Sequence, residues 1–185
     1  MRQSRPTKVE TASSQARVVR PALVRDVPSL SALAKRTWSD AFGASVNEAT
    51  AFTEINEGRS EHYFRSALQE NLILVAEMNG RLVGYAEIGE VRIPEAKAQP
   101  GDMSLHRLYV ETALQGQGVG RQLMTFALEH PKLAEARRVF LQVWEENTRA
   151  RSLYEGFGFR KVGTTTFTIG SETMEDLVMR LDRAD

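Results

Sequence analysis

Apolar positions recur along this chain with two periods, one near 3.6 and one near 2, and their succession predicts its elements. Arg17–Ala22 reads as a short strand. Asp26 then precedes a helix with Pro28 in its first turn, and Leu30, Leu33, Ala34, Thr37 and Trp38 follow at helical spacing until Gly43. Asn47 or Ser45 opens a second helix through Phe52 and Ile55 that stops near Gly58, and Ser60 opens a third over Glu61–Leu68. The period then changes. Leu72–Met78 and Arg81–Ile88 are strands joined by the two-residue turn Asn79-Gly80. Residues 92–102, with two prolines and a glycine, read as a loop. A strand over 103–110, a glycine-rich turn and a helix to about Glu129 follow, and Pro131 breaks the pattern. Arg138–Trp144 is a strand, Asn147–Glu155 a helix, and Phe159–Phe167 and Glu172–Leu181 are strands. The order βααα-βββ-α-β-α-ββ predicts an α/β (α+β) fold, a mixed sheet with helices on both faces. Residues 1–16 lack apolar periodicity, are rich in Arg, Ser and Thr, and read as a disordered tail before one domain over 17–185.

Composition adds exclusions. The chain has 185 residues, the size of one domain with a tail. No apolar run reaches the length of a membrane span and no signal-peptide pattern opens the chain, which fits a cytoplasmic protein without a membrane partner. With no cysteine there is no disulfide, no thiolate metal site and no thiol nucleophile. The three dispersed histidines, His62, His106 and His130, make no metal-ligand pattern, so no metal is expected. The basic tail is sparse and precedes no DNA-binding motif, so no nucleic-acid partner is expected either. Net charge is zero but uneven: residues 40–102 hold 11 acidic against 5 basic residues. That excess suggests either a surface that attracts cations or solvated helix faces.

The chemistry concentrates at Gln115-Gly116-Gln117-Gly118-Val119-Gly120, between a strand and a helix. Three glycines in six residues let backbone approach a ligand and turn several N–H groups one way, and the helix dipole adds attraction for anions. The turn therefore reads as a phosphate or pyrophosphate cradle. A Walker loop needs Gly-Lys-Ser/Thr, whereas Arg121-Gln122 follow Gly120. A dinucleotide fingerprint needs Gly-x-Gly-x-x-Gly. Glu145 could still imitate its ribose-binding acid, so that reading is reduced rather than eliminated.

A second constellation runs from Trp144 to Phe159. Asn147, Ala150 and Tyr154 lie on one face of a helix, a polar amide at its start and a phenol two turns later. Singly, a plain N-cap would explain Asn147 and a half-buried aromatic Tyr154. Together the two stretches resemble the GCN5-related N-acetyltransferase (GNAT) superfamily. Gln115, Gly118 and Gly120 match its Gln/Arg-x-x-Gly-x-Gly/Ala signature. Asn147, Ala150, Tyr154, Gly158 and Phe159 match its downstream pattern. Arg20-Pro21-Ala22 and Asp26 look like its opening strand and turn. Thr37–Gly43 and the ending Phe167-Thr168-Ile169-Gly170 with Asp176–Met179 look like its PaiA-type spermidine/spermine acetyltransferase branch.

That resemblance implies a mostly antiparallel sheet of about seven strands and an acetyl-CoA-dependent enzyme without a metal. Acetyl-CoA would lie in a splay between strands 103–110 and 138–144. Its pyrophosphate would sit on Gly116, Gln117, Gly118, Val119 and Gly120, beside Gln115. Its pantetheine arm would pair with backbone of Leu108, Tyr109 and Val110 and be held by Asn147 beside the small Ala150. Tyr154 would protonate the leaving thiolate. Direct attack by an amine then needs a proton acceptor, and Glu87, His106 and Glu111 are candidates, with Glu87 placed first. Trp38, Phe42, Tyr63 and Tyr85 are candidate walls of the acceptor site. The acid excess points to a small cationic acceptor such as a polyamine. A peptide or protein acceptor and a non-catalytic acyl-CoA sensor are the alternatives. The resemblance also allows a homodimer, though no seam is legible.

Overall fold

The computed structural model describes residues 17–43, 47–169 and 172–183. The expected tail, the alternative helix start at Ser45 and Gly170 lie outside them. The elements are β1 Arg17–Pro21, α1 Val27–Phe42, α2 Glu48–Asn56, α3 Glu61–Glu70, β2 Leu72–Met78, β3 Arg81–Glu90, β4 Met103–Val110, α4 Val119–Glu129, α5 Pro131–Ala134, β5 Arg138–Trp144, α6 Thr148–Glu155, β6 Arg160–Ile169 and β7 Glu172–Asp182.

Local chemistry explains their limits. The side chains of Asn47 and Ser60 accept the amides of Thr50 and Tyr63, so both helices start at true N-caps. Asp26 occupies the corresponding place before α1 but does not cap it. Its carboxylate instead accepts two bonds from Arg20, at 2.7 and 3.0 Å, and the Leu23 amide at 2.8 Å. A charged fork outbids a helix amide there. Pro131 ends α4 as expected yet opens the short helix α5, because proline suits a first helical position, where its missing N–H costs nothing. The Asn79-Gly80 turn has positive φ at both residues, at 53° and 76°, the geometry a tight hairpin needs.

The seven strands form one sheet in the order β1-β2-β3-β4-β5-β7-β6. All neighbours are antiparallel except β4 and β5, which are parallel. One face carries α4 and α6 over Leu74, Val83, Leu105, Leu141, Val143 and Leu177. The other carries α1 and α3 over Ile73, Val75 and Tyr85. Each fully buried Leu, Ile or Val side chain stabilises by about 1.5–3 kcal/mol. These two layers thereby hold the rigid frame on which the site is built.

Candidate active site

The parallel pair at the middle of the sheet is short. Only Met103, Ser104 and Leu105 pair with Val139, Phe140 and Leu141. Beyond them β4 runs on to Val110 and β5 to Trp144 without pairing, so the two strands splay and leave backbone groups of Leu108 and Val110 unshared with β5. A bulge sets the orientation of β4. Glu87 pairs with Arg107 and Ile88 with Leu105, which leaves His106 as the extra residue. His106 and Arg107 therefore both turn toward the α3 face, and Leu108 and Val110 toward the α4 face.

A cavity of about 390 Å³ opens on the α4 face of the splay. Its lining includes Leu108 and Val110 from β4, the glycine turn, and Asn147, Ala150 and Tyr154 from the start and face of α6. Gly116 and Gly118 have φ of 79° and 82°, the left-handed region that lets successive amides converge. The amides of Gly116, Gly118, Val119, Gly120 and Arg121 donate to no protein acceptor among the described residues. Arg17 of β1 reaches the back of this turn and donates to the Gln117 carbonyl at 3.1 Å. Across a trans peptide C=O and N–H point opposite ways, so this bond turns the Gly118 amide away from Arg17. Arg149 crosses the mouth to the Gln115 side-chain oxygen at 2.8 Å. A row of unspent amides at a helix N-terminus, beside Arg121 and Arg149, which make no ion pair among the described residues, suits a phosphorylated ligand.

Asn147 caps α6, its side-chain oxygen accepting the Ala150 amide at 3.1 Å. Its amide nitrogen makes no hydrogen bond among the described residues and so stays available to a ligand. Tyr154 is buried, 6% exposed, beside Phe159. Its hydroxyl has no protein partner among the described residues, and burial pushes its pKa up, so the phenol stays protonated and can serve as a proton donor.

The opposite face holds a different chemistry. Glu87 is fully buried and accepts Tyr63 Oη at 2.7 Å and Asn71 Nδ2 at 2.8 Å, both on Oε1. Arg107 Nη1 stands 3.6 Å from Oε2 and His106 Nδ1 3.8 Å from Oε1. Burial pushes the carboxyl up, but His106, Arg107 and Tyr63 outweigh it and hold Glu87 below the usual carboxylate range. Burial also moves the Tyr63 phenol up to about 12. Glu111 is held by Arg36 and Arg81 at 3.0 and 2.8 Å, and His106 Nε2 donates to the Glu90 carbonyl at 2.8 Å.

Of the residues singled out from the sequence, the structure gathers Leu108, Val110, Gln115, Gly116, Gly118, Gly120, Asn147, Ala150 and Tyr154 around one cavity. Tyr109 points to the other face and stacks on Tyr85, and Gln117 and Val119 face away, so only their backbones can serve a ligand in the cavity. Glu87 does not join Tyr154 there. Trp38 and Tyr85 are core residues, 2% and 0% exposed. The acid excess of 40–102 is dispersed: Glu54, Glu61, Glu77 and Asp102 are each paired with an arginine. Arg17, Arg121 and Arg149 were not foreseen, because they lie outside the glycine turn or read as ordinary surface charge. Among the described residues no group of three His, Cys, Asp or Glu side chains is placed to hold a metal, and no helix is long and apolar enough to cross a membrane.

The profile of the Acetyltransferase (GNAT) family matches residues 33–159. The chain belongs to the GNAT family. An N-acetyltransferase of Mycobacterium tuberculosis is 31% identical over 156 residues, 83% of this chain and 96% of that one. The spermine/spermidine N(1)-acetyltransferase of Bacillus subtilis is 30% identical over 89 residues, 48% of this chain and 59% of that one. Among solved structures, the PaiA N-acetyltransferase of Thermoplasma acidophilum, in complex with coenzyme A, superposes with a TM-score of 0.73 at 20% identity, covering 91% of this chain and 99% of that one. This GNAT protein is therefore an acetyl-CoA-dependent N-acetyltransferase.

Proposed function

We propose that this enzyme transfers acetyl directly from acetyl-CoA to the primary amine of a small cationic acceptor, with a polyamine as the first class to test. The observation that carries the transfer is one cavity holding both the row of free amides at Gly116–Arg121 and the protonated phenol of Tyr154. Acetyl-CoA supplies the activated acetyl group as a thioester. Gly116, Gly118, Val119, Gly120 and Arg121 would hold its pyrophosphate through their amides, with Gln115 and Gln117 shaping the turn. The free edge of β4 at Leu108, Tyr109 and Val110 would hold the pantetheine arm like an added strand, with Asn147 beside it and Ala150 leaving room. Tyr154 would give its proton to the departing thiolate. Burial suits that role, since it keeps the phenol a donor throughout the neutral range. Absence of a cysteine leaves no thiol to carry the acetyl group, so both substrates meet in one complex and positioning does much of the work.

The amine must approach from the α3 face, through the gap between β4 and β5. Glu87 is sealed on that face, so its part in this reading is to fix His106 and Arg107 along the bulge. The polyamine class is supported by the Bacillus subtilis relative, not by an acidic trough, because Glu54, Glu61, Glu77 and Asp102 of the acidic segment are each spent on an arginine. The test is CoA release with acetyl-CoA and a panel of spermidine, spermine, aminoglycosides, amino acids and short peptides. Turnover confined to polyamines is expected; turnover confined to peptides would overturn the acceptor class and leave the transfer intact.

A further inference from the structure

On the proposed acceptor side one carboxylate is unspent. Asp176 on β7 pairs with Trp144 on β5 and with Thr165 on β6. Two residues further along, Val178 pairs with Gln142 and packs with Phe140, Ile93 and Ala96. Leu177 and Val143 pack under α6 instead. The alternation of strand side chains therefore puts Trp144 and Asp176 on the face opposite the cavity, the face that carries His106 and Arg107. Among the described residues the short 3-10 turn Pro94–Ala96 packs over this half of the face, against Phe140 and Val178, and Trp144 is 39% exposed. Asp176 is half-buried, and its carboxylate makes no hydrogen bond and has no cation within ion-pair distance among the described residues. The other acids considered on this side are occupied: Glu87 is sealed among donors and Glu111 is clamped by two arginines.

We propose that Asp176 is the catalytic residue that receives the acceptor ammonium and takes its proton. The assignment rests on the amine-acetylation reading above. Balance is simple. One proton passes from the ammonium to the Asp176 carboxylate, and the freed nitrogen lone pair forms the N–C bond to the acetyl carbon. The C–S bond breaks, the thiolate takes a proton from Tyr154, the nitrogen's second proton returns through solvent to the Tyr154 phenolate as the amide forms, and Asp176 releases the first proton to bulk water. The net products are the acetylated amine, the thiol and one proton. Burial independently raises the proton affinity of this carboxyl above that of an ordinary aspartate, which favours uptake from an ammonium. Its neighbours among the described residues are uncharged: Gln142 and Trp144 on β5, Thr165 on β6 and Val178 on β7. Arg180 beyond them is already paired with Asp182 at 2.8 Å. Elsewhere on this face lie Glu87 of β3 with His106 and Arg107 of β4, and Arg138 and Arg160, which are paired with Asp102 and Asp182.

The test compares Asp176→Asn and Asp176→Glu with the wild type, using the most active amine of the panel from pH 6.5 to 10. Calorimetric CoA affinity checks that the donor side is intact. The Asn variant should lose about 100-fold in kcat/KM for the amine at pH 7, the scale of one general base. It should recover toward wild type as pH approaches the amine's own pKa, where bulk solvent supplies the neutral amine. The Glu variant should keep the wild-type shape. An Asn variant as active as wild type, or a deficit constant across pH, overturns the assignment. If the Asn variant fails to bind CoA, the Glu variant decides alone, and a flat deficit in it overturns the proposal. A wild-type enzyme that binds CoA but acetylates no amine overturns the functional reading and this assignment together.

Discussion

Tyr154 and Glu87 show how one chain tunes two acidic groups in opposite senses. Tyr154 is moved up by burial with no compensating partner, so it remains a proton donor at any physiological pH. Tyr154→Phe should lower kcat by about 100-fold or more and leave acetyl-CoA affinity within about twofold, because only the donated proton is lost. Steady-state rates beside calorimetry check this, and a matching loss of binding would make the phenol a packing residue. Glu87 is buried yet moved down, because Arg107, His106, Tyr63 and Asn71 surround it. A carboxyl with a lowered folded pKa stabilises the fold above the unfolded value of about 4.3, and that contribution disappears as pH falls through the lower folded value. Glu87→Gln should therefore cost about 3 kcal/mol at pH 7, where it leaves Arg107 buried without its counter-charge. The gap to wild type should shrink in acid. Urea unfolding at pH 7 and at pH 3 to 4 measures both; a gap that persists unchanged in acid would mean that packing, not charge, sets the cost.

At the scale of elements, β1 and the start of α4 act as one device. The Arg17 bond to the Gln117 carbonyl fixes the peptide whose other end is the Gly118 amide. Arg17→Gln should raise the KM for acetyl-CoA about tenfold with kcat unchanged. That is about 1.4 kcal/mol, within the range of one charge-assisted hydrogen bond. An unchanged KM would show that the glycines hold the turn alone. None of this was legible beforehand, because Arg17 is 100 residues from its partner and outside both motifs. What local pattern can encode was legible. Apolar runs bounded by turn signals located all seven strands, and the Asn79-Gly80 and glycine-turn signals fall on the positive φ values they require. The relations between strands were not. The resemblance led to the expectation of a splay, but that β4 and β5 stop pairing after Leu105 and Leu141 is a property of register. The bulge that places His106 and Arg107 on one face, and so seals Glu87, is another. A carboxylate on a predicted hairpin looks exposed until the helix that covers it is placed, which is why the burial of Glu87 away from the Tyr154 cavity could not be read from its position in the chain.

For the whole molecule the splay is also a seam. Only three residue pairs join β4 to β5, while the strands on either side of that junction pair along nearly their full length. The proposed donor site bridges this junction, drawing on β4 and the α4 turn from one half and on α6 from the other. A ligand that binds across a weak seam stabilises the folded state by mass action, since the unfolded chain has no such cavity. CoA at a hundred times its dissociation constant should add about 2.7 kcal/mol. For a domain of this size that corresponds to a rise in Tm of roughly 5–10 °C. NAD at the same concentration should give no comparable shift, because its recognition needs the Gly-x-Gly-x-x-Gly spacing that the turn at Gly116–Gly120 does not provide. Hydrogen exchange should place the added protection at residues 105–121 and 141–154, on both sides of the seam. An equal shift from NAD would revive the dinucleotide reading of the turn, and protection confined to one side would show that the ligand does not bridge the two halves.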